Sequence, residues 1–268
     1  MPTSENSTKK PIQDTLKHFS ASSILCYKEC PKSFYYKYVL GLKLPDTKIH
    51  LAFGSAFHAG IESLLKTNNI KSALTTFDDE FTADKVNKEE REKVAEMNPL
   101  GHKMLIAFES KVSELDFSYG IKHGKSEIWL PQTILEDPFS KEKLPLKTVG
   151  IIDRMTDSGS IIELKTSKGE WNPDDVKFKL QTQLYSWMYY QNSKGRHPEK
   201  VVYVIVTKHK EPRVQIIEAN CTKDDYSKLF AEIKAIFAKI ENNIFDKPEG
   251  FHNNWCDCQK FEEALSTN

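Results

Sequence analysis

Three charged residues set into two apolar runs restrict this chain more than any other feature. The first run, Val149-Gly-Ile-Ile, ends in Asp153. The second, Ile161-Ile, leads into Glu163, and Lys165 follows two positions later. Lys147 to Asp153 and Ile161 to Lys165 both have the composition of strands. Asp157-Ser-Gly-Ser between them is a turn signal. The two runs therefore predict an antiparallel hairpin. Residues two apart on a strand share a face, so Glu163 and Lys165 project together. Charges at the ends of buried strands cost on the order of several kcal/mol unless they are paired or metal-bound.

That constraint already suggests chemistry. Asp153 and Glu163 are ten residues apart across a short turn, so both carboxylates can reach one point. Two carboxylates and a nearby backbone carbonyl make a hard-oxygen site suited to Mg²⁺, which keeps several waters. Lys165 beside it could hold or deprotonate an attacking water, or offset charge on a phosphate. The metal would lower the pKa of that water. Glu163-Leu-Lys165 alone is equally a surface ion pair on a plain hairpin. The full array with Asp153 is more specific.

The rest of the chain predicts a mixed sheet with helices around it. Ser20 is placed to cap a helix through Ile24, Cys26, Tyr27 and Cys30, and Pro31 interrupts it. Phe34, Tyr35, Tyr38 and Leu42 follow at helical spacing, up to Pro45. Phe53, Phe57, Ile61 and Leu65 recur every fourth residue, one apolar stripe on a helix over 51–65. Residues 68–115 read as helical, with a solvated charged run from Asp84 to Lys93. Further strands are expected at Glu127–Pro131, Val201–Thr207 and Val214–Glu218. Helices are expected at Lys177–Gln191 and Asp224–Ile240. The order gives an α/β (mixed α+β) fold, a sheet flanked by helices. Residues 1–18 are polar and aperiodic and are expected to be a disordered tail.

Composition narrows the function. The 268 residues carry 38 Lys plus Arg and 38 Asp plus Glu, a balance that argues against a protein that coats DNA. It suits an enzyme with an acidic site and local basic contacts. No apolar run is long enough for a membrane span, and no secretory signal is expected at the N-terminus. Five cysteines, an odd number, suggest no disulfide framework and a reducing, cytoplasmic setting in a bacterial or phage-infected cell.

Several motifs in order resemble the PD-(D/E)XK nuclease superfamily, and its RecB-like branch in particular. These are Ser20-Ala-Ser-Ser-Ile-Leu-Cys-Tyr-Lys-Glu-Cys-Pro, Gly54-Ser-Ala-Phe-His58, Glu127, Gly150-Ile-Ile-Asp153-Arg, Ile162-Glu163-Leu-Lys165-Thr-Ser and Gln181-Thr-Gln-Leu-Tyr185. The resemblance covers roughly residues 19–258. It implies a restriction-endonuclease-like core with a helical N-terminal insertion. It implies one nuclease domain over 19–260, helical over about 68–120 and catalytic over about 125–220, with a tail at 261–268. It gives His58, Asp153, Glu163 and the Leu164 carbonyl as metal ligands, with Asp153, Glu163 and Lys165 catalytic. Gln181 and Tyr185, four apart on a helix, would face the substrate or brace the site. Mn²⁺ should substitute for Mg²⁺ because an imidazole is among the ligands. Glu62, a turn after His58, is placed to orient its ring.

The resemblance also implies an exonuclease acting on DNA ends or single strands, in repair, recombination or phage or CRISPR DNA processing. No Gly-x-x-x-x-Gly-Lys-[Ser/Thr] occurs, so any unwinding would need a separate helicase or recombination partner. The alternative is a catalytically silent nucleic-acid-binding or scaffold module. Many members of the branch bind a 4Fe–4S cluster through one early and three late cysteines. Here Cys30 fits the early position and Cys256 and Cys258 the late region. With no later cysteine, Cys26 is the candidate fourth thiolate and His252 a substitute; the cysteines are otherwise relics or buried residues. The aromatics of Tyr27 to Lys43 either stack on single-strand bases while the lysines meet phosphates, or, as their helical spacing favours, form core with the lysines lining a DNA path.

Overall fold

The computed structural model describes residues 16–44, 48–247 and 257–266. Its strands are β1 His18–Phe19, β2 Lys125–Glu136, β3 Lys143–Met155, β4 Ile161–Ser167, β5 Val201–Thr207 and β6 Val214–Ala219. Its α-helices are α1 Ala21–Glu29, α2 Pro31–Phe34, α3 Ile49–Thr67, α4 Ile70–Glu80, α5 Glu92–Glu109, α6 Val112–Tyr119, α7 Pro173–Val176, α8 Leu180–Asn192, α9 Lys223–Glu241 and α10 Cys258–Ser266. The result is the expected mixed α/β fold. The chain divides into two compact units. The first comprises Met1–Leu44, Gln132–Val149 and Lys223–Asn268, and the second Pro45–Pro131 and Gly150–Thr222.

In the first unit, β1 lies parallel to β3, with His18 opposite Lys147 and Phe19 opposite Thr148. Leu16 is buried and His18 lies in β1, within the tail expected over 1–18; residues 1–15 lie outside the described residues. Ser20 caps α1 in a reciprocal box with Ser23. The turn that follows the early helices, Tyr35–Val39, is wound wider than an α-helix, with the Leu40 N–H on the Tyr35 carbonyl. Phe34 is fully buried and stacks on Tyr38. Three of the four neighbouring lysines are tied to carboxylates. Lys28 pairs with Glu232 at 2.5 Å, Lys37 with Asp257 at 3.0 Å, and Lys32 with Glu262. The tail expected at 261–268 is helical to Ser266, because Phe261 is buried against Tyr36.

The second unit is organised around β5, where every residue from Val201 to Thr207 is buried. It runs parallel to β4 and antiparallel to β6. One face of this ladder, with Ile162, Leu164, Val202, Val204 and Val206, packs against the stripe Phe53, Phe57, Ile61 and Leu65 of α3 and against α4 to α6. The alternate residues Glu163 and Tyr203 therefore face the other way, and Thr182 of α8 meets the Tyr203 hydroxyl at 3.0 Å. The charged run before α5 is largely exposed, as expected. Its exception is Glu90, whose carboxylate accepts the Ile49 N–H at 2.9 Å and caps α3. No described helix is long and apolar enough to cross a membrane.

Gly101 of α5 marks the tightest packing. A Cβ there would lie 2.1 Å from the Phe77 ring. Phe77 is itself fully buried among Phe53, Phe81 and His102, so it has nowhere to go. Ala favours a helix interior over Gly by about 1 kcal/mol, whereas overpacking a core costs about 1–3 kcal/mol. Gly101→Ala should therefore lower the denaturation midpoint. An increase in urea titration would show that the ring yields and that helix propensity wins.

Candidate active site

The hairpin at the centre of the second unit forms as its sequence predicts. Thr156 and Ser160 close its loop with a backbone bond of 3.0 Å, and Gly159 takes a positive φ of 90°. The strands pair at Met155 with Ile161 and Arg154 with Ile162. One step further, Asp153 and Glu163 would face each other. Instead of a backbone carbonyl, the Asp153 carboxylate accepts the Leu164 N–H, at 2.8 Å. The ladder thus gives way to a side chain where the first acidic residue stands.

Lys165 joins the two carboxylates. Its Nζ lies 2.8 Å from Glu163 Oε2 and 3.6 Å from Asp153 Oδ2. Glu163 is 1 % exposed, and its Oε1 is buried with no hydrogen-bond partner. Burial therefore pushes the Glu163 carboxyl well above the usual range, and the charge of Asp153 adds to this against the opposing pull of Lys165. Lys165 moves up too: the two anions outweigh its own desolvation and hold it protonated.

His58 of α3 approaches from the other side. Its Nδ1 is 3.7 Å from Asp153 Oδ1, and its ring bonds to the Leu164 backbone. Burial lowers its pKa, only partly offset by Asp153, so the ring is neutral at pH 7, the form that binds metals. A cleft of about 560 Å³ opens here, lined by His58, Glu62, Ser126, Glu127, Asp153 and Leu164 among others. Glu127 sits in it with a φ of 49°, a left-handed conformation that is uncommon outside glycine.

The two α8 residues of the motif also meet the site. Gln181 Nε2 donates to the Tyr185 hydroxyl at 3.5 Å. Tyr185 is buried over Gly150, where a Cβ would come within 2.8 Å of its ring. It also feels the charges of Glu163 and Lys165, although burial dominates the rise in its pKa.

Two residues at the site, Arg154 and Tyr203, were given no role by the sequence reading. Arg154, next to Asp153, is 5 % exposed. Its guanidinium donates to the Ile121, Lys122 and Gly124 carbonyls at 2.5, 3.3 and 2.8 Å, to Glu62 at 3.3 Å, and to Ser126 Oγ. Glu62 is thus held by Arg154 and Ser126, and the expectation that it orients His58 is corrected. Tyr203 stands opposite Glu163 on β5 and is buried with Thr182. An Arg beside the Asp was visible in sequence, but nothing local marks Tyr203 within an apolar strand.

Among the described residues, no group of three His, Cys, Asp or Glu side chains stands preformed around a metal position, either at the cysteines or at His58, Asp153 and Glu163. Cys256 and His252 lie outside the described residues. Cys30 is buried with Cys258, Tyr36 and Phe261, and its Sγ caps α2 by accepting the Ser33 N–H at 3.4 Å. Burial pushes the Cys26 thiol up to about 11 in the metal-free protein. The iron–sulfur expectation is therefore not supported, and Cys30 and Cys258 serve as core.

The raised Glu163 pKa has a direct thermodynamic reading. A carboxyl whose folded pKa exceeds its unfolded value favours folding while protonated, and that advantage is lost as pH rises through the window between the two values. With an ordinary glutamate near 4.3 and a folded value pushed up to about 7, the window is pH 4–7. In EDTA, Glu163→Gln should gain stability relative to the parent across it, on the order of 1 kcal/mol or more. Thermal melts at pH 4 and 7 check this, and a flat or falling difference would remove the burial argument.

The comparisons with known proteins bear on the family and the fold. A comparison with curated proteins gives no match. A crystal structure from Eubacterium rectale named "Putative exonuclease" aligns with 97 % of this chain and 93 % of its own, at a TM-score of 0.56 and 13 % identity, a likeness of fold. A structure named SSO0001 covers 81 % of this chain and 86 % of its own at 15 % identity, but its TM-score of 0.32 carries no argument. The model of the PD-(D/E)XK nuclease superfamily matches residues 18–261. That match takes in the Asp153 hairpin, the Glu163-Leu-Lys165 strand and the helices on either side, and by it the chain belongs to the PD-(D/E)XK nuclease superfamily.

Proposed function

We propose that this chain is a divalent-metal-dependent deoxyribonuclease that hydrolyses phosphodiester bonds at DNA ends or in single strands. The observation that carries the reading is Lys165, held protonated between Asp153 and Glu163 with a neutral His58 alongside.

The donor set fits a hard cation. Glu163 Oε1 is a buried oxygen without a partner, and an ion would satisfy it. His58, Asp153, Glu163 and the Leu164 carbonyl are the groups that would hold it, with Mn²⁺ able to replace Mg²⁺. Mg²⁺ is commonly held by one or two carboxylates plus substrate phosphates and waters, so a closed protein cage is not required. When bound, the ion supplies Lewis-acid stabilisation of the phosphoryl oxygens and acidifies the attacking water.

The chain's own residues do the rest. In the metal-free site Glu163 and Asp153 hold Lys165 protonated against its burial, and in that form it donates to the water or to a phosphoryl oxygen. The Leu164 N–H fixes the Asp153 carboxylate, and Glu163 is immobilised in the ladder. Gln181 and Tyr185 brace the hairpin from α8. The Arg154 hub ties 121–126 and Glu62 to β3, keeping the cleft formed.

The name of the Eubacterium rectale structure favours exonucleolytic cutting. A role in DNA repair, recombination or phage or CRISPR processing, beside a separate helicase in a cytoplasmic setting, belongs to the same reading. The experiment is incubation of labelled linear and circular single-stranded DNA with the protein in Mg²⁺, Mn²⁺ or EDTA. Linear DNA should be shortened with either metal, EDTA should stop the reaction, and closed circles should survive. Asp153→Ala, Glu163→Ala and Lys165→Ala should each reduce cleavage at least about 100-fold, in the range of lost transition-state contacts. His58→Ala should weaken metal affinity and leave partial activity. Cleavage by neither metal would leave the silent binding module, and parental rates for Lys165→Ala would take the lysine out of the mechanism.

A further inference from the structure

We propose that Lys168 and Lys208 form a second phosphate site, which grips the DNA backbone along the strand from the phosphate being cut. The inference deepens the nuclease reading and rests on it.

The two lysines are placed together by the sheet. β4 and β5 run parallel, in register to Ser167 opposite Thr207, so Lys168 and Lys208 are the next pair beyond the strand ends. The Lys208 N–H continues the ladder onto the Ser167 carbonyl at 2.6 Å. Lys208 is half-buried, and its Nζ lies 4.6 Å from the centroid of the Phe53 ring on α3. That contact aims the ammonium and limits its reach toward bulk water. Burial first, and the charge of Lys168 second, lower the Lys208 pKa.

Neither ammonium is neutralised. The carboxylates of the adjoining loops are taken by other cations: Glu170 pairs with Arg213 and Glu211 with Lys103, each at 3.5 Å. No ion pair or hydrogen bond is formed by the Lys168 or Lys208 ammonium among the described residues. Two like charges side by side, one of them partly desolvated, are unfavourable. An anion between them removes that cost.

The position identifies the anion. Lys168 is three residues beyond Lys165 and one past the end of β4, about 10 Å further along the chain. Lys208 stands on the Phe53 face of the sheet and Lys165 on the Tyr203 face, so a nucleic acid strand with one phosphate at Asp153 and Lys165 reaches this pair by crossing the ends of β4 and β5. Lysine suits the task as a mobile point charge that positions a backbone without reading bases.

The test is binding, which is separable from cutting. A fluorescein-labelled single-stranded oligothymidylate is titrated in EDTA across a range of KCl, and log K is plotted against log salt. Each phosphate contact on single-stranded DNA contributes a slope of about −0.7. Lys168→Gln and Lys208→Gln should each make the slope shallower by roughly 0.7 and weaken binding several-fold at low salt. Lys208→Arg should restore it, and Lys71→Gln on α4 should change nothing. Melting curves confirm that each variant is folded, and the exposed Lys168 keeps the test open if Lys208 does not tolerate substitution. Parental slopes in both Gln variants, with the parent binding normally, overturn the second site alone. A parent that neither binds nor cuts DNA overturns the nuclease reading, and this site with it.

Discussion

A carboxylate held inside a β-ladder is the constraint on which the second unit depends. Glu163 sits between Leu164, turned into the helical core, and Tyr203, its partner on the fully buried β5. It cannot swing out to water without breaking that ladder. Its charge must therefore be answered from within. Lys165 answers it from the same strand, and Asp153 shares the lysine from the neighbouring one. The same local field keeps Lys165 protonated and leaves one Glu163 oxygen without a donor. The arrangement is unfavourable for folding and suited to a site that receives a cation, in the way that local strain and unsatisfied groups collect where chemistry is done.

Much of the fold was legible because burial followed period. β5 is a continuous β-branched run and is buried on both faces, and the fourth-residue stripe on α3 faces the sheet. The first half of β3 was harder to see. Leu144, Leu146 and Thr148 alternate with exposed residues at strand period, but the strand was expected to begin only at Lys147. The break between α7 and α8 at residues 177–179 and the interruptions between α4 and α5 were similarly hidden. Their residues are acceptable helix formers, and tertiary packing ends the helices there. Leu16 and Phe261, buried in segments expected to be tails, were missed because single buried anchors in polar segments carry no periodic signal.

The site divides along the same line. Asp153, Glu163 and Lys165 announce themselves by being charged among apolar neighbours. His58 and the Gln181–Tyr185 pair were read through motif resemblance, and the structure brings them to the same hairpin. What stayed hidden depends on contacts far apart in sequence. Arg154 reaches carbonyls about thirty residues earlier, and it takes Glu62, ninety-two positions away, from the role expected for it. Tyr203 looks like one more strand aromatic until its register against Glu163 is known.

The hydrogen bond from the Leu164 N–H to Asp153 has a bearing on how such a protein can change over generations. Asp153 stands in for a main-chain acceptor as well as offering a carboxylate to the cleft. A lineage that no longer needed catalysis could not discard this side chain freely, since a small apolar replacement would strand a donor in the middle of the sheet. An amide of the same shape would keep the bond and abolish the charge. Drift toward a silent module therefore has a narrow exit, through Asn, and the architecture itself delays the erosion of the chemistry.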